Sequence, residues 1–180
     1  MRTTGRGFSL PSRLLHWAMA VLILAMLCIG VGMVATVSPR YLALLSLHKT
    51  IGVAILVLVL VRIINRFIHR PPPLPRSMPR AQHLAAIASH VLLYGLMLAM
   101  PLIGWGMLSA GGYPVVLAGA VQLPPILPHH AQLYACLRQA HAVGAYLLLG
   151  VVLLHIAAAL YHGMIRRDGV LESMTTGTPR

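Results

Sequence analysis

The chain has 180 residues, 58% of them apolar and only 9% charged, with a mean hydropathy of +0.83; this excludes a soluble domain and a disordered chain and marks a membrane protein. The net charge of +12 does not describe a nucleic-acid binder, because the basic residues sit in the gaps between apolar runs, where they report topology. The two acids, Asp168 and Glu172, follow the last apolar run, so no carboxylate falls inside a span and carboxylate-driven hydrolysis or transport loses its support.

Arg2, Arg6 and Arg13 precede a first apolar run over residues 14–37. At about 24 residues it is too long for a secretory signal core and suits a spanning helix. Pro11 and Ser12 supply helix-start chemistry, Pro39 follows the end, and Trp17, beside His16, lies at interfacial depth. The second span, 41–64, carries His48 in its early turns and follows so closely that the two form an antiparallel hairpin. Beyond it Arg62, Arg66, Arg70, Arg76 and Arg80 alternate with prolines that cannot continue a helix, giving a polar, semi-rigid loop. The third span, 82–108, contains His83 and His90, and Pro101 predicts a kink. A Gly- and Pro-rich connection, 109–137, includes His129 and His130; it is too interrupted to span, and loops of this length tend to cover something or act. The fourth span, 139–165, is closed by Arg166 and Arg167.

Four spans put both termini on one side. That side receives Arg2, Arg6, Arg13, the five loop arginines, Arg166, Arg167 and Arg180, against Arg40, Lys49 and Arg138 on the other. Eleven basic residues against three place both termini in the cytoplasm by the positive-inside rule.

The histidines then sort by depth. His141 and His155 are fourteen residues apart, which returns nearly to the same helix face after a rise of roughly 21 Å; His162 lies near that face seven residues on. His48 and His141 fall in an outer layer, while His16, His90, His155 and His162 fall in the inner half, with His83 close to the inner surface. Imidazoles on one face at two depths are what a helix ligating two stacked haems needs. The natural pairs are His48 with His141 and His16 with His155, each filling both axial positions on iron and leaving a site for single-electron transfer. The competing reading is of isolated polar residues in helix interiors, which are rare within apolar spans unless functional. Cys28 and Cys136 stand apart with no C-x-x-C-H, so the haems are expected to be non-covalent haem b; whether the two thiols pair is open. Gly30 lies fourteen residues after His16 and Gly104 fourteen after His90. Both fit either close approach of a haem edge or small-residue helix packing. Arg62, fourteen after His48, fits either a haem-propionate partner or a side chain snorkelling to the headgroups. The expected fold is therefore all-α: one integral-membrane four-helix bundle over residues 1–180, binding two haems.

RLLHW at 13–17, SLHKTIG at 46–52 and the His141/His155 pair resemble the layout of the bacterial cytochrome b561 family, close in pattern to the membrane cytochrome b subunits of formate dehydrogenases and hydrogenases. The resemblance covers essentially the whole chain and is nearest to the short, free-standing members that oxidise superoxide and reduce ubiquinone. It implies a multi-pass protein of the bacterial inner membrane, with the lipid bilayer and a quinone as partners and superoxide or a periplasmic redox protein as electron donor. On that reading Arg40, Lys49 and Arg138 steer an anionic donor to the outer pair, or are surface charges with no specific role. With no acid in the membrane, the protons for the quinone pass through His90, His162 or His83, because imidazole exchanges protons near neutral pH; His83 also reads as an interfacial residue and His90 as a ligand in place of His16. Two other functions compete: a cytochrome b anchor that serves a partner dehydrogenase or other redox protein, and a copper or zinc carrier using the ten His and ten Met, whose methionines lack a clustered repeat.

Overall fold

The computed structural model describes residues 7–73 and 78–177; Arg2, Arg6, Arg76 and Arg180, used in the topology count, lie outside them. Four long helices carry the fold: α1 (Leu10–Ala35), α2 (Arg40–Ile68), α3 (Arg80–Ala110) and α4 (Ala131–Leu160), the last continuing as a π-helical turn, Tyr161–Arg166. Each is long and apolar enough to cross a membrane. Since about 20 residues suffice for the hydrocarbon core, the helices also reach into the interfaces.

Local chemistry explains the ends. Pro11 sits in the first turn of α1, where its missing N–H costs nothing. The expected start of the fourth span at residue 139 is eight residues late. After the last of the loop prolines, Pro128, the His130 side chain accepts the Leu133 N–H at 3.2 Å and caps a helix that begins at Ala131. The connection between α3 and α4 is correspondingly shorter than 109–137, and it is not all loop. β1 (Val115–Leu117) and β2 (Val121–Leu123) form an antiparallel hairpin with Val116 opposite Gln122. Its turn needs left-handed backbone at Ala118 (φ 46°) and Gly119 (φ 73°), and the Ala118 N–H is held by Thr50 Oγ1 of α2 at 3.0 Å. Lys49 Nζ donates to Pro114 O (3.4 Å) and Trp105 Nε1 to Pro124 O (3.0 Å), so the hairpin lies over the end of the bundle that carries His48. α3 runs through Pro101 without interruption.

At the opposite end the chain turns back through Arg167 (φ 48°) and Gly169 (φ 81°) into a short helix, α5 (Val170–Thr175). Phe8 N–H donates to Ser173 O (3.1 Å), Trp17 Nε1 to Met174 O (3.2 Å) and the Arg13 guanidinium to Thr175 O. These bonds put the first and last described residues on the same side of the bundle, as an even number of spans requires.

α1 packs on α2, α2 on α3 and α3 on α4, whereas α4 makes almost no close backbone contact back to α1. The buried core is a belt at mid-height: Met19 and Ile23 from α1, Ile55 and Val59 from α2, Leu96 and Met97 from α3, Leu148 and Val151 from α4. Most other apolar side chains, such as Leu14, Val21, Val57, Leu147 and Leu154, point outward. That is the pattern for a chain whose surroundings are as apolar as its core.

Candidate functional site

Every core residue of the belt falls, in sequence, between two chemistry-bearing positions of its own helix. Met19 and Ile23 follow His16; Ile55 and Val59 separate His48 from Arg62; Leu96 and Met97 separate His90 from Gly104; Leu148 and Val151 separate His141 from His155. The histidines are thereby held in two layers, one on either side of an apolar partition.

In the outer layer the rings of His48 and His141 face each other across the bundle with centroids 6.1 Å apart and planes inclined by 67°. Nδ1 of each ring is buried; that of His48 has no hydrogen-bond partner, and His141 has only the Met100 backbone to bond. A Cβ at Gly104 would come 3.2 Å from His141 Cε1, so the missing side chain is what gives that ring its room. A Cβ at Gly30 would meet nothing within 4 Å. Small-residue helix packing therefore does not account for Gly30, which borders open space beside α1.

In the inner layer His16 and His155 are 6.2 Å apart, their planes inclined by 59°. Two imidazole nitrogens bound on opposite sides of one first-row metal, each at about 2.0–2.1 Å, place the ring centres roughly 6.3 Å apart. Both pairs have that spacing. His90 is nearer to His155, at 5.5 Å and edge-on at 86°, and its Nδ1 donates to Ala86 O at 2.6 Å.

Arg62 is turned into the bundle rather than out to the headgroups. Its Nε donates to Tyr94 Oη at 2.9 Å and its Nη2 to His16 Nδ1 at 3.2 Å, while Nη1 is buried with no partner. A donor-only cation with an unfilled donor beside His16 is a receptor for an anionic group. Tyr94 was not singled out from the sequence, although it stands four residues after His90 and so on the same helix face.

His162 sits where α4 has become a π-helix, so the uniform helical spacing that aligned it with His155 does not hold there. Its Nδ1 is 2.7 Å from Asp168 Oδ2, and Arg166 Nε is 3.3 Å from the same oxygen. His83 is exposed in the first turn of α3, and Arg40 and Arg138 are exposed on α2 and α4. Cys28 and Cys136 are free and exposed. Among the described residues no three His, Cys, Asp or Glu side chains gather as a metal-ion cage requires.

The family model for prokaryotic cytochrome b561 matches residues 7–177. The chain belongs to that family. Membership makes it a multi-pass membrane protein that binds b-type haem and transfers electrons, and the paired rings, the unfilled donor of Arg62 and the open space at Gly30 suit such a group. No curated protein matches the sequence significantly.

Proposed function

We propose that this b561 cytochrome holds two haems, the outer by His48 and His141 and the inner by His16 and His155, and passes electrons from a donor at the outer surface to a quinone at the inner end. The observation that carries the reading is the pair of ring separations, 6.1 and 6.2 Å, on either side of one apolar belt. When bound, such haems would take up and release one electron each. The chain's own residues hold them, keep the partition between them dry and supply charge. Coordination through Nε2 would put the proton of His16 on Nδ1, where Arg62, a donor only, can no longer bond; the guanidinium is then free for a propionate.

The donor best matched to the outer surface is superoxide, with ubiquinone as acceptor. Superoxide is an anion, and Arg40, Lys49 and Arg138 are the basic residues of that end. The excess of basic residues at the other end supports an inner-membrane protein with cytoplasmic termini. Haem content and the reduced spectrum of the wild type and of His16→Ala, His48→Ala, His141→Ala and His155→Ala test the pairing. Each variant is expected to lose one haem and keep the other with sharp low-spin bands. A His16 variant that retains both haems overturns the inner pair. Reduction by pulsed superoxide, followed against ionic strength, tests the donor: the rate constant is expected to fall as salt screens the basic residues, and a rate indifferent to salt removes steering.

A further inference from the structure

We propose that Asp168 is the positioning residue that makes His162 the proton donor for quinone reduction at the inner end of the bundle. The inference rests on the quinone reading above and goes past it by naming the proton donor and the group that fixes it.

Several independent features of the chain converge on this couple. The helix widens into a π turn from Tyr161 to Arg166, an arrangement that recurs at functional sites and re-aims the side chains it carries. The backbone then reverses through left-handed Arg167 and Gly169, which brings back a carboxylate that the sequence places beyond the membrane. Gly163 leaves the space that Leu171 of α5 fills, so α5 closes against the π turn beside His162. The side chains of His162 and Asp168 are only 12% and 10% exposed. A buried carboxylate is stable only when paired and hydrogen-bonded. Asp168 meets that condition with His162 Nδ1 at 2.7 Å and Arg166 Nε at 3.3 Å, and Arg166 is itself fixed by Gln82 Oε1 of α3 at 2.7 Å. Tyr161 packs edge-on to the imidazole, centroids 5.7 Å apart.

The consequence is a fixed tautomer. An ionised carboxylate only accepts, so Nδ1 of His162 carries its hydrogen toward Asp168. Nε2 has no hydrogen-bond partner among the described residues, and it is the nitrogen left to exchange protons. Reduction of a quinone to the quinol adds two electrons and two protons to its two oxygens. The two electrons would be supplied one at a time by the haem that His16 and His155 would hold, which gives up each electron as the quinone takes it. Protonated His162 gives its Nε2 proton to one quinone oxygen, an N–H bond breaking as an O–H bond forms, and the other oxygen takes the second proton from water at the inner surface. The neutral ring keeps its Nδ1–H on Asp168 and takes its next proton from water at the inner surface; Arg166 balances the carboxylate throughout.

The test uses the haem-loaded protein, reduced chemically and mixed with short-chain ubiquinone, with reoxidation read from the reduced haem band. His162→Gln keeps a donor for Asp168 but cannot relay a proton. It is expected to slow reoxidation at saturating quinone by roughly 10²-fold, with the half-saturating quinone concentration unchanged and much of the rate restored by imidazole in the buffer. Asp168→Asn is expected to slow it about tenfold, in the range for removing a group that orients a functional histidine, and to raise the solvent deuterium effect, while Asp168→Glu retains most of the rate. If His162→Gln reoxidises at the wild-type rate, or is slowed but indifferent to imidazole, the inference is overturned, whether or not the Asp168 variants fold. If wild-type haem is reoxidised by ferricyanide but not by the quinone, the quinone reading itself has failed.

Discussion

The two ends of the bundle hold their histidine pairs at nearly the same spacing and surround them in opposite ways. At the outer end His48 Nδ1 is buried with no hydrogen-bond partner and His141 has only the Met100 backbone to bond, with a glycine against its ring and a small β-hairpin laid across the top. At the inner end His16 is bonded to Arg62, Arg62 to Tyr94, Ser12 to Asn65 and His162 to Asp168, while His90 stands beside His155. The difference teaches a division of labour. If electrons enter at the outer end and a quinone is reduced at the inner one, the side-chain networks beside a histidine pair that could move or balance a proton are, among the described residues, those of the inner end.

The largest expected break in that comparison comes from the glycines. A bulky residue at Gly104 drives into His141, whose ring lies 3.2 Å from the position of the added Cβ, so Gly104→Val is expected to displace the ring and abolish the outer haem while the inner one stays. Gly30→Leu meets nothing in the protein itself. Its helix content and thermal stability without haem should match wild type within about 0.5 kcal/mol, yet the outer haem should be lost because the space is taken. Haem stoichiometry beside the unfolding midpoint of the haem-free protein separates the two causes. Equal destabilisation of both haem-free variants would show that Gly30 packs against protein after all.

Arg62 gives the next effect, smaller and confined to the inner layer. A fixed cation beside a haem favours the reduced, more electron-rich state. Arg62→Gln is therefore expected to lower the inner midpoint potential by about 60 mV, or about 1.4 kcal/mol for a one-electron couple. Tyr94→Phe, which only releases the guanidinium from its 2.9 Å bond, should lower it by less. Redox titration by visible spectroscopy reads both. A shift in the outer rather than the inner haem would reverse the assignment of layers.

These residues also mark what could be read without coordinates. The four spans and the two depths follow from hydropathy and from a fourteen-residue spacing that a regular helix preserves; the structure puts His48 beside His141 and both His16 and His90 beside His155, so spacing alone does not choose between the last two. A regular helical count aligns His162 with His155, but the π turn changes the count, and its contact with Asp168 depends on left-handed backbone at Arg167, which no helical period encodes. The early start of α4 is not legible in the sequence because its cap is a histidine, outside the usual Ser, Thr, Asp and Asn set. Sequence alone leaves Arg62 two roles; Tyr94, on another helix, holds it inward.

The smallest expected effect concerns the hairpin over the outer layer. Ala118 pays a conformational penalty for its left-handed backbone, of roughly 1–2 kcal/mol, and its N–H is satisfied by Thr50 Oγ1, two residues past His48. Thr50 also donates to Ser46 O at 3.0 Å, so its rotamer is set from within α2. Thr50→Val removes a hydrogen bond worth about 1 kcal/mol and leaves the helix intact. Hydrogen exchange at the hairpin should quicken by several-fold with haem content unchanged. If the outer haem spectrum moves as well, the hairpin is part of what sets His48 in place, and the outer end is less independent of its cover than its lack of polar contacts implies. If only exchange responds, the outer layer is positioned by its helices alone and the hairpin acts as a lid that shields it from water.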